Sequence, residues 1–202
     1  MKLILVRHAM PAIGPGVPAA AWELSNEGRR DAQALTRALP IGALLIASQE
    51  PKARQTLEPA GPVHTDERFN EVARAEPYNG DFRERRRAYV TGTDHTGWEA
   101  RDEVAARFAS GVQFWIAQAD GRPLVIASHG MAMTLWLSAT VGLADAGAFW
   151  ADLRLPDVLT VDVTGKRITR ALNDIPPGTF TNAPPGKAAA QPPTNSGRHK
   201  HP

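Results

Sequence analysis

Two histidines that each follow a short apolar run are the residues best suited to chemistry in this sequence. Arg7 and His8 end a run that begins at Lys2, and His129 ends a second run that begins at Leu124. A guanidinium offers paired donors to an oxyanion. A neutral imidazole can attack an electrophile or move a proton near neutral pH. These residue types indicate chemistry on an anionic group.

Both histidines are predicted to lie at the same edge of a β-sheet. Each apolar run is short and bounded by turn or helix-compatible residues, which is typical of a buried strand. In open parallel sheets, ligands bind at the carboxyl ends of the strands. One histidine at a strand end is often only a hydrogen-bonding residue of the structure. Two of them, brought to one edge by separate strands, indicate a functional site.

The remaining pattern alternates strands with helices. Further strands are predicted at residues 41–47, 63–65 and 124–128, and a hairpin at 158–163 and 167–172. Helices are predicted at 29–39 after an N-cap at Ser25, and at 50–59, 81–90, 99–118, 131–141 and 145–150. This order predicts an α/β fold, a three-layer α/β/α sandwich whose mainly parallel sheet carries an antiparallel edge strand.

Composition limits the classes of function. The 202 residues contain no cysteine, which excludes disulfides, thiolate metal sites and a cysteine nucleophile, and a formal charge of +2 gives no support for nucleic acid or a membrane as partner. We expect a cytoplasmic protein with one domain over residues 1–175. Residues 176–202 are rich in proline and alanine and are predicted to form a tail that is mobile or lies on the surface.

Four stretches, taken in order, carry a resemblance to a known family: residues 6–9, 48–56, 69–72 and 128–130. Together they resemble the histidine phosphatase superfamily, also called the phosphoglycerate mutase-like family, over residues 2–172. The resemblance implies a phosphoglycerate mutase-like fold and a reaction in which the phosphoryl group is held on a histidine.

The resemblance also implies a role for each matching residue. His8 would be the nucleophile that forms a phosphohistidine, and Arg7 and His129 would hold the phosphoryl oxygens. A basic residue in 48–56 would add to this clamp, and Glu71 would be the proton donor. Such chemistry needs positioning and positive charge around the phosphoryl oxygens, which side chains can supply. No metal and no cofactor is therefore expected.

The basic residue of the second stretch departs from the family pattern. That pattern is Ser-Pro-Leu-x-Arg-Ala-x-Gln-Thr, and alignment on Ala53 puts Lys52 at the arginine position. Lys52 and Arg54 are two residues apart and point to different sides of a helix, so only one can enter the site. We expect Lys52 to do so and Arg54 to be solvated or paired with Glu58. Pro11 also stands where many members carry a hydroxyl.

Other ionisable residues are alternatives. Glu76, Asp94 and Glu99 are reserves for the acid at Glu71, and Glu99 is the one expected to support the site from behind. His64 and His95 are expected to be structural or on the surface. The run at residues 83–87 is either a solvated helix face or an attractor of a polyanionic substrate, and Trp22 either packs on the core or covers the site.

The sequence therefore predicts a metal-independent phosphomonoester hydrolase that acts on a small phosphorylated substrate. A phosphoglycerate mutase is the alternative within the family, disfavoured by the short middle segment and the proline-rich tail. A regulatory module that binds phosphate esters with weak turnover is the alternative outside catalysis. The natural substrate and the oligomeric state are not determined by the sequence.

Overall fold

A computed structural model describes residues 2–77 and 80–170 of the chain. These residues form six strands and six α-helices, joined by loops and short 3-10 turns. The strands are β1 (Lys2–Arg7), β2 (Leu44–Ala47), β3 (Val63–Thr65), β4 (Leu124–Ser128), β5 (Asp157–Asp162) and β6 (Arg167–Arg170). The helices are α1 (Asn26–Leu35), α2 (Pro51–Leu57), α3 (Phe82–Val90), α4 (Arg101–Gln118), α5 (Gly130–Val141) and α6 (Ala146–Asp152).

The strands form one sheet in the order β3-β2-β4-β1-β5-β6. The first four are parallel, and β5 and β6 join antiparallel next to β1. The predicted antiparallel edge is thus confirmed, and it contains both strands of the hairpin. Strands β1 and β4 are direct neighbours, with Arg7 opposite Ser128. The two histidines that follow them must therefore lie side by side.

Helices cover both faces of the sheet, which confirms the three-layer sandwich. Side chains alternate along each strand, so that Leu5 and Ile126 join one buried cluster while Val6 and Val125 join another. Helices α3 to α6 pack on the first cluster, and α1 and α2 on the second. This arrangement leaves the carboxyl ends of β1, β2 and β4 free to form a site.

Local signals begin and end several helices as the sequence predicts. The Ser25 side chain accepts a hydrogen bond from Gly28 N–H at the start of α1, and Pro51 occupies the first turn of α2. Helix α5 ends at Gly142, whose φ of 80° is readily adopted only by glycine. These ends set where His129 and Lys52 enter the site.

Two predicted boundaries are wrong by a few residues. The strand expected from residue 41 begins at Leu44, because Gly42 takes a φ of 73° in a turn that leaves Ile41 fully exposed. The helix expected from residue 99 begins at Arg101, because Glu99 N–H donates to Ala73 O at 2.8 Å instead. The predicted tail at 176–202 and the end of the last predicted strand lie outside the described residues.

No helix within the described ranges is long and apolar enough to cross a membrane.

Candidate active site

His8 and His129 meet at the carboxyl edge of the sheet. Each follows its strand directly, and the His8 N–H donates to Ser128 O at 3.1 Å, which continues the β1–β4 pairing by one residue. Their ring centroids are 5.1 Å apart with an interplanar angle of 57°. Both side chains are buried and line one cavity of about 810 Å³. The separation predicted to be short in the sequence analysis is short in the structure.

The His8 ring is oriented as a nucleophile requires. Its Nδ1 lies 2.7 Å from Ala9 O. A carbonyl can only accept, so Nδ1 carries the proton and Nε2 keeps its lone pair. Burial, with the nearby charges of Lys52 and Arg7, holds the pKa of His8 well below its usual value of 6.5. The ring is therefore neutral at physiological pH, with Nε2 available for attack.

The His129 ring is fixed by a chain of hydrogen bonds. The Ser48 hydroxyl donates to Asn70 Oδ1 at 2.8 Å, and this oxygen also accepts from Gln49 N–H. Ser48 Oγ then accepts from His129 Nε2–H at 2.9 Å. His129 Nδ1 is buried and has no hydrogen-bond partner among the described residues. An orphaned polar atom of this kind indicates a ligand contact.

Charge and burial keep His129 neutral in the empty site. Burial is the main cause that lowers its pKa well below 6.5, and the nearby charges of Lys52 and His8 act in the same direction. A neutral ring that donates from Nε2 has a lone pair on Nδ1. This nitrogen becomes a donor to a phosphoryl oxygen once the ring takes up a proton, which the dianion itself would favour.

Arg7 brings a cation to the other side of the histidine pair. Its Nη1 donates to Leu153 O at 2.7 Å, and its Nε is buried with no partner in the described part of the chain. Burial lowers the pKa of Arg7 to about 10, against the opposing charges of Glu71 and Asp157, so the group stays charged at neutral pH. A Cβ at position 130 would lie 3.3 Å from Arg7 Nε, and Gly130 removes this obstacle.

Lys52, and not Arg54, lies in the cavity. The Lys52 side chain is buried, contacts the Glu50 carboxylate and donates to Ala19 O at 2.7 Å. Arg54 is half-exposed on α2 and pairs with Glu58. Two of the three Lys52 ammonium protons are thus held by the protein, and one is left for a phosphoryl oxygen. The role of Lys52 in binding stays a prediction.

One hydroxyl ties α2 to the loop that carries His8. Thr56 Oγ1 accepts from Ala9 N–H at 2.9 Å and donates to Lys52 O at 2.7 Å. Ala9 is the residue whose carbonyl orients the His8 ring. The position of Lys52 and the tautomer of His8 therefore depend on the same contact.

Glu71 lies at the N-terminus of α5, at the wall of the same cavity. Its carboxylate accepts from Ala132 N–H at 3.0 Å, from Val72 N–H at 3.1 Å and from Met131 N–H at 3.4 Å. These donors include two amides of the first turn of α5, which are otherwise unsatisfied at a helix start. The carboxylate is thereby fixed beside His129, the residue that precedes this helix.

Glu50 is a site residue that the sequence analysis did not single out. Its buried carboxylate contacts Lys52, accepts from Glu71 N–H at 2.7 Å and lies 3.5 Å from His129 Nε2. It joins three of the predicted site residues. The position before Pro51 marked it only as a helix start, so the sequence held no signal for this role.

Arg107 is a second residue that was missed. From α4 its guanidinium donates to Arg68 O at 2.8 Å and Asn70 O at 2.9 Å, and it binds the Glu99 carboxylate at 2.6 Å. Glu99 in turn accepts from Ala73 N–H at 3.0 Å. The pair clamps the loop that carries Glu71. Glu99 is thus placed behind that loop, as the sequence analysis expected.

The other reserves lie apart from the histidine pair. Glu76 is held by arginines of the loop and α3, and Asp94 pairs with Arg101. His95 Nε2 contacts Arg85 O at 3.0 Å, and His64 is exposed beside Trp115 on the far edge of the sheet. Trp22 lines the cavity, which matches the alternative in which it covers the site. In the described ranges, no three acidic or histidine side chains are grouped to hold a metal ion.

The fold and this geometry agree with a known family. Residues 3–175 match the model of the histidine phosphatase superfamily (branch 1), and the chain belongs to that family. None of the curated proteins compared matches the sequence.

Similar solved structures share the fold at low identity. Mycobacterial glucosyl-3-phosphoglycerate phosphatase is 22% identical with a TM-score of 0.61, over 84% of this chain and 96% of that one. YhfR of Bacillus stearothermophilus is 18% identical with a TM-score of 0.64, over 84% and 95%. A histidine-to-alanine mutant of phosphoserine phosphatase from Entamoeba histolytica, in complex with phosphoserine, is 17% identical with a TM-score of 0.58, over 84% and 94%.

Proposed function

We propose that the protein is a phosphomonoester hydrolase that acts through a phosphohistidine on His8. The observation that carries this proposal is the pairing of two neutral, buried histidine rings whose centroids are 5.1 Å apart at the wall of a cavity that also contains Arg7 and Lys52. Membership of the family supports it, and two of the similar structures carry phosphatase names.

The phosphoryl group would be bound by four side chains. Arg7 and Lys52 supply permanent positive charge, and His129 Nδ1 adds a donor after it takes up a proton. His8 Nε2 keeps its lone pair because Ala9 O holds the ring proton on Nδ1. Cations in a site largely closed to water stabilise the charge that develops on the phosphoryl oxygens during transfer.

The chemistry then proceeds in two steps. His8 Nε2 attacks phosphorus, the N–P bond forms as the P–O bond to the alcohol breaks, and the protonated Glu71 carboxyl gives its proton to the leaving oxygen. Water next attacks phosphorus, Glu71 takes a proton from that water, and the N–P bond breaks to release inorganic phosphate. The two steps return His8 and Glu71 to their starting states.

A metal-independent reaction is part of the proposal. The side chains of Arg7, Lys52 and His129 place positive charge where a metal ion acts in other phosphoryl-transfer enzymes. Activity should therefore persist in excess EDTA. Location in the cytoplasm and a small phosphorylated substrate remain predictions that accompany this function.

Hydrolysis of p-nitrophenyl phosphate and of 3-phosphoglycerate, followed in EDTA, tests the proposal. The wild-type protein should release inorganic phosphate from both, and His8→Gln should release it from neither. Conversion of 3-phosphoglycerate to 2-phosphoglycerate without phosphate release would assign the mutase alternative. Tight phosphate binding without turnover would assign the regulatory module.

A further inference from the structure

A side chamber of about 460 Å³ adjoins the reaction cavity. Apolar side chains form most of its wall: Ile13, Val17, Pro18, Trp22, Pro77 and Phe82. The two spaces share Ile13, Trp22 and Phe82 as lining residues, so a molecule bound at the histidine pair can extend into the chamber. The leaving alcohol of a phosphate ester is the part that would extend.

The chamber gathers apolar surface that the fold leaves in water. Among the described residues, the large apolar side chains that are exposed are Ile13, Val17, Ile41 and Phe114. Ile13 is 38% exposed and Val17 is 49% exposed, and both line the chamber. A single exposed apolar residue is ordinary, whereas a group of them around a cavity is typical of a binding surface.

The polar groups of the chamber wall are engaged by the protein. Arg74 Nε and Arg86 Nη2 both donate to Glu76 Oε2, at 3.0 and 2.6 Å. The Arg86 guanidinium also lies over the Phe82 ring, 4.8 Å from its centroid. These contacts direct both cations at Glu76, and the wall that remains is apolar.

The Trp22 ring is held in place by its own loop. Its indole N–H donates to Val17 O at 2.8 Å, so the polar edge of the ring has a partner within the loop at residues 17–22. The carbon surface of the ring faces the shared wall of the two cavities. An aromatic side chain fixed in this way presents apolar area at little cost in entropy.

We propose that this chamber binds the apolar part of the substrate, and that the enzyme prefers phosphate esters of alkyl or aryl alcohols over small polar ones. The proposal rests on the hydrolase function above and names the class of alcohol. Burial of each methylene should raise kcat/KM about fourfold until the chamber is full. An aryl group would gain in addition from the faces of Trp22 and Phe82.

A series of alkyl phosphates tests this directly. Ethyl, butyl and hexyl phosphate have leaving alcohols of nearly equal acidity, so the series changes apolar size and leaves chemical reactivity almost constant. We expect kcat/KM to rise about 100-fold from ethyl to hexyl phosphate. Where turnover is slow, inhibition of p-nitrophenyl phosphate hydrolysis gives the same comparison. Benzyl against cyclohexylmethyl phosphate then separates aryl stacking from apolar size alone.

Matched serine variants locate the effect. Ile13→Ser and Val17→Ser should each reduce the hexyl-to-ethyl ratio at least about fivefold. Ile41→Ser, which removes an exposed isoleucine far from the site, should leave the ratio unchanged. Thermal unfolding within about 3 °C of wild type establishes that each variant is folded, and Val17, half-exposed, serves if Ile13→Ser does not fold.

Two results would overturn the proposal in different ways. A flat alkyl series, together with His8-dependent hydrolysis of p-nitrophenyl phosphate, removes the chamber and leaves the hydrolase function intact. A loss of the ratio in Ile41→Ser equal to that in Ile13→Ser also removes it. Absence of hydrolysis for every ester removes both proposals at once.

Discussion

Glu71 Oε1 accepts a hydrogen bond from Ala132 N–H at 3.0 Å, so the proposed acid is anchored to the helix that begins beside His129. A loop residue is thereby held as firmly as one on a helix. Arg107 and Glu99 brace the same loop from the other side. The acid, the second histidine and the helix start consequently form one rigid unit.

Replacement of this acid should have an effect that depends on the leaving group. Glu71→Gln keeps an acceptor for the α5 amides but cannot donate a proton in exchange for one, so alkyl phosphates should slow by about 10²- to 10⁴-fold. p-Nitrophenyl phosphate, whose leaving group needs no proton, should slow far less in the phosphorylation step. Single-turnover kinetics on both esters measure the difference. Equal losses on the two would remove Glu71 from the role of acid.

Lys52 and Arg54 offer a matched pair on one helix. Lys52→Ala should lower kcat/KM by about 10²- to 10³-fold, because it removes a buried cation from the cavity and leaves Glu50 unpaired. Arg54→Ala should change kcat/KM less than about twofold, since its pair with Glu58 is solvent-exposed. Steady-state kinetics with p-nitrophenyl phosphate compare them. The reverse ranking would place Arg54 in the site.

Much of this arrangement follows from sequence patterns. Apolar runs with a period of two and helix signals such as Ser25 predicted the sheet and its layers, because both patterns record which face is buried. The meeting of His8 and His129 followed from strand ends in a parallel sheet. The family motif was needed to choose Lys52 over Arg54.

Residues that act through tertiary contacts were not predictable. Glu50 stands before a helix and Arg107 in the middle of one, and neither position differs from an ordinary surface residue in sequence. Their roles depend on which loop packs against them, and that is set by the whole fold. The apolar chamber is similar, since Ile13 and Phe82 are 69 positions apart and only the folded chain brings them together.

The two buried histidines should make stability depend on pH. Their pKa values lie well below 6.5 in the folded protein, whereas an unfolded chain has histidines near 6.5. Below about pH 6.5 the unfolded chain therefore binds more protons, and the free energy of unfolding falls as pH falls towards the folded pKa. The slope is up to about 1.4 kcal/mol per pH unit for each histidine.

Urea unfolding of wild type and His8→Gln between pH 7 and 5 measures this effect. Burial raises the pKa of Asp31 to about 6, which acts in the opposite direction, so the difference between the two proteins isolates His8. The variant should lose less stability over this range. An identical pH dependence in both proteins would mean that His8 is protonated equally in the folded and unfolded states.

The most direct test of the account is to trap the covalent intermediate. The protein is mixed briefly with a ³²P-labelled phosphomonoester, denatured in alkali, digested and mapped. We predict label on His8 that is stable in base and lost in acid, as a phosphoramidate is, and no label in His8→Gln. Label on another residue, or undiminished label and turnover in His8→Gln, would contradict the mechanism.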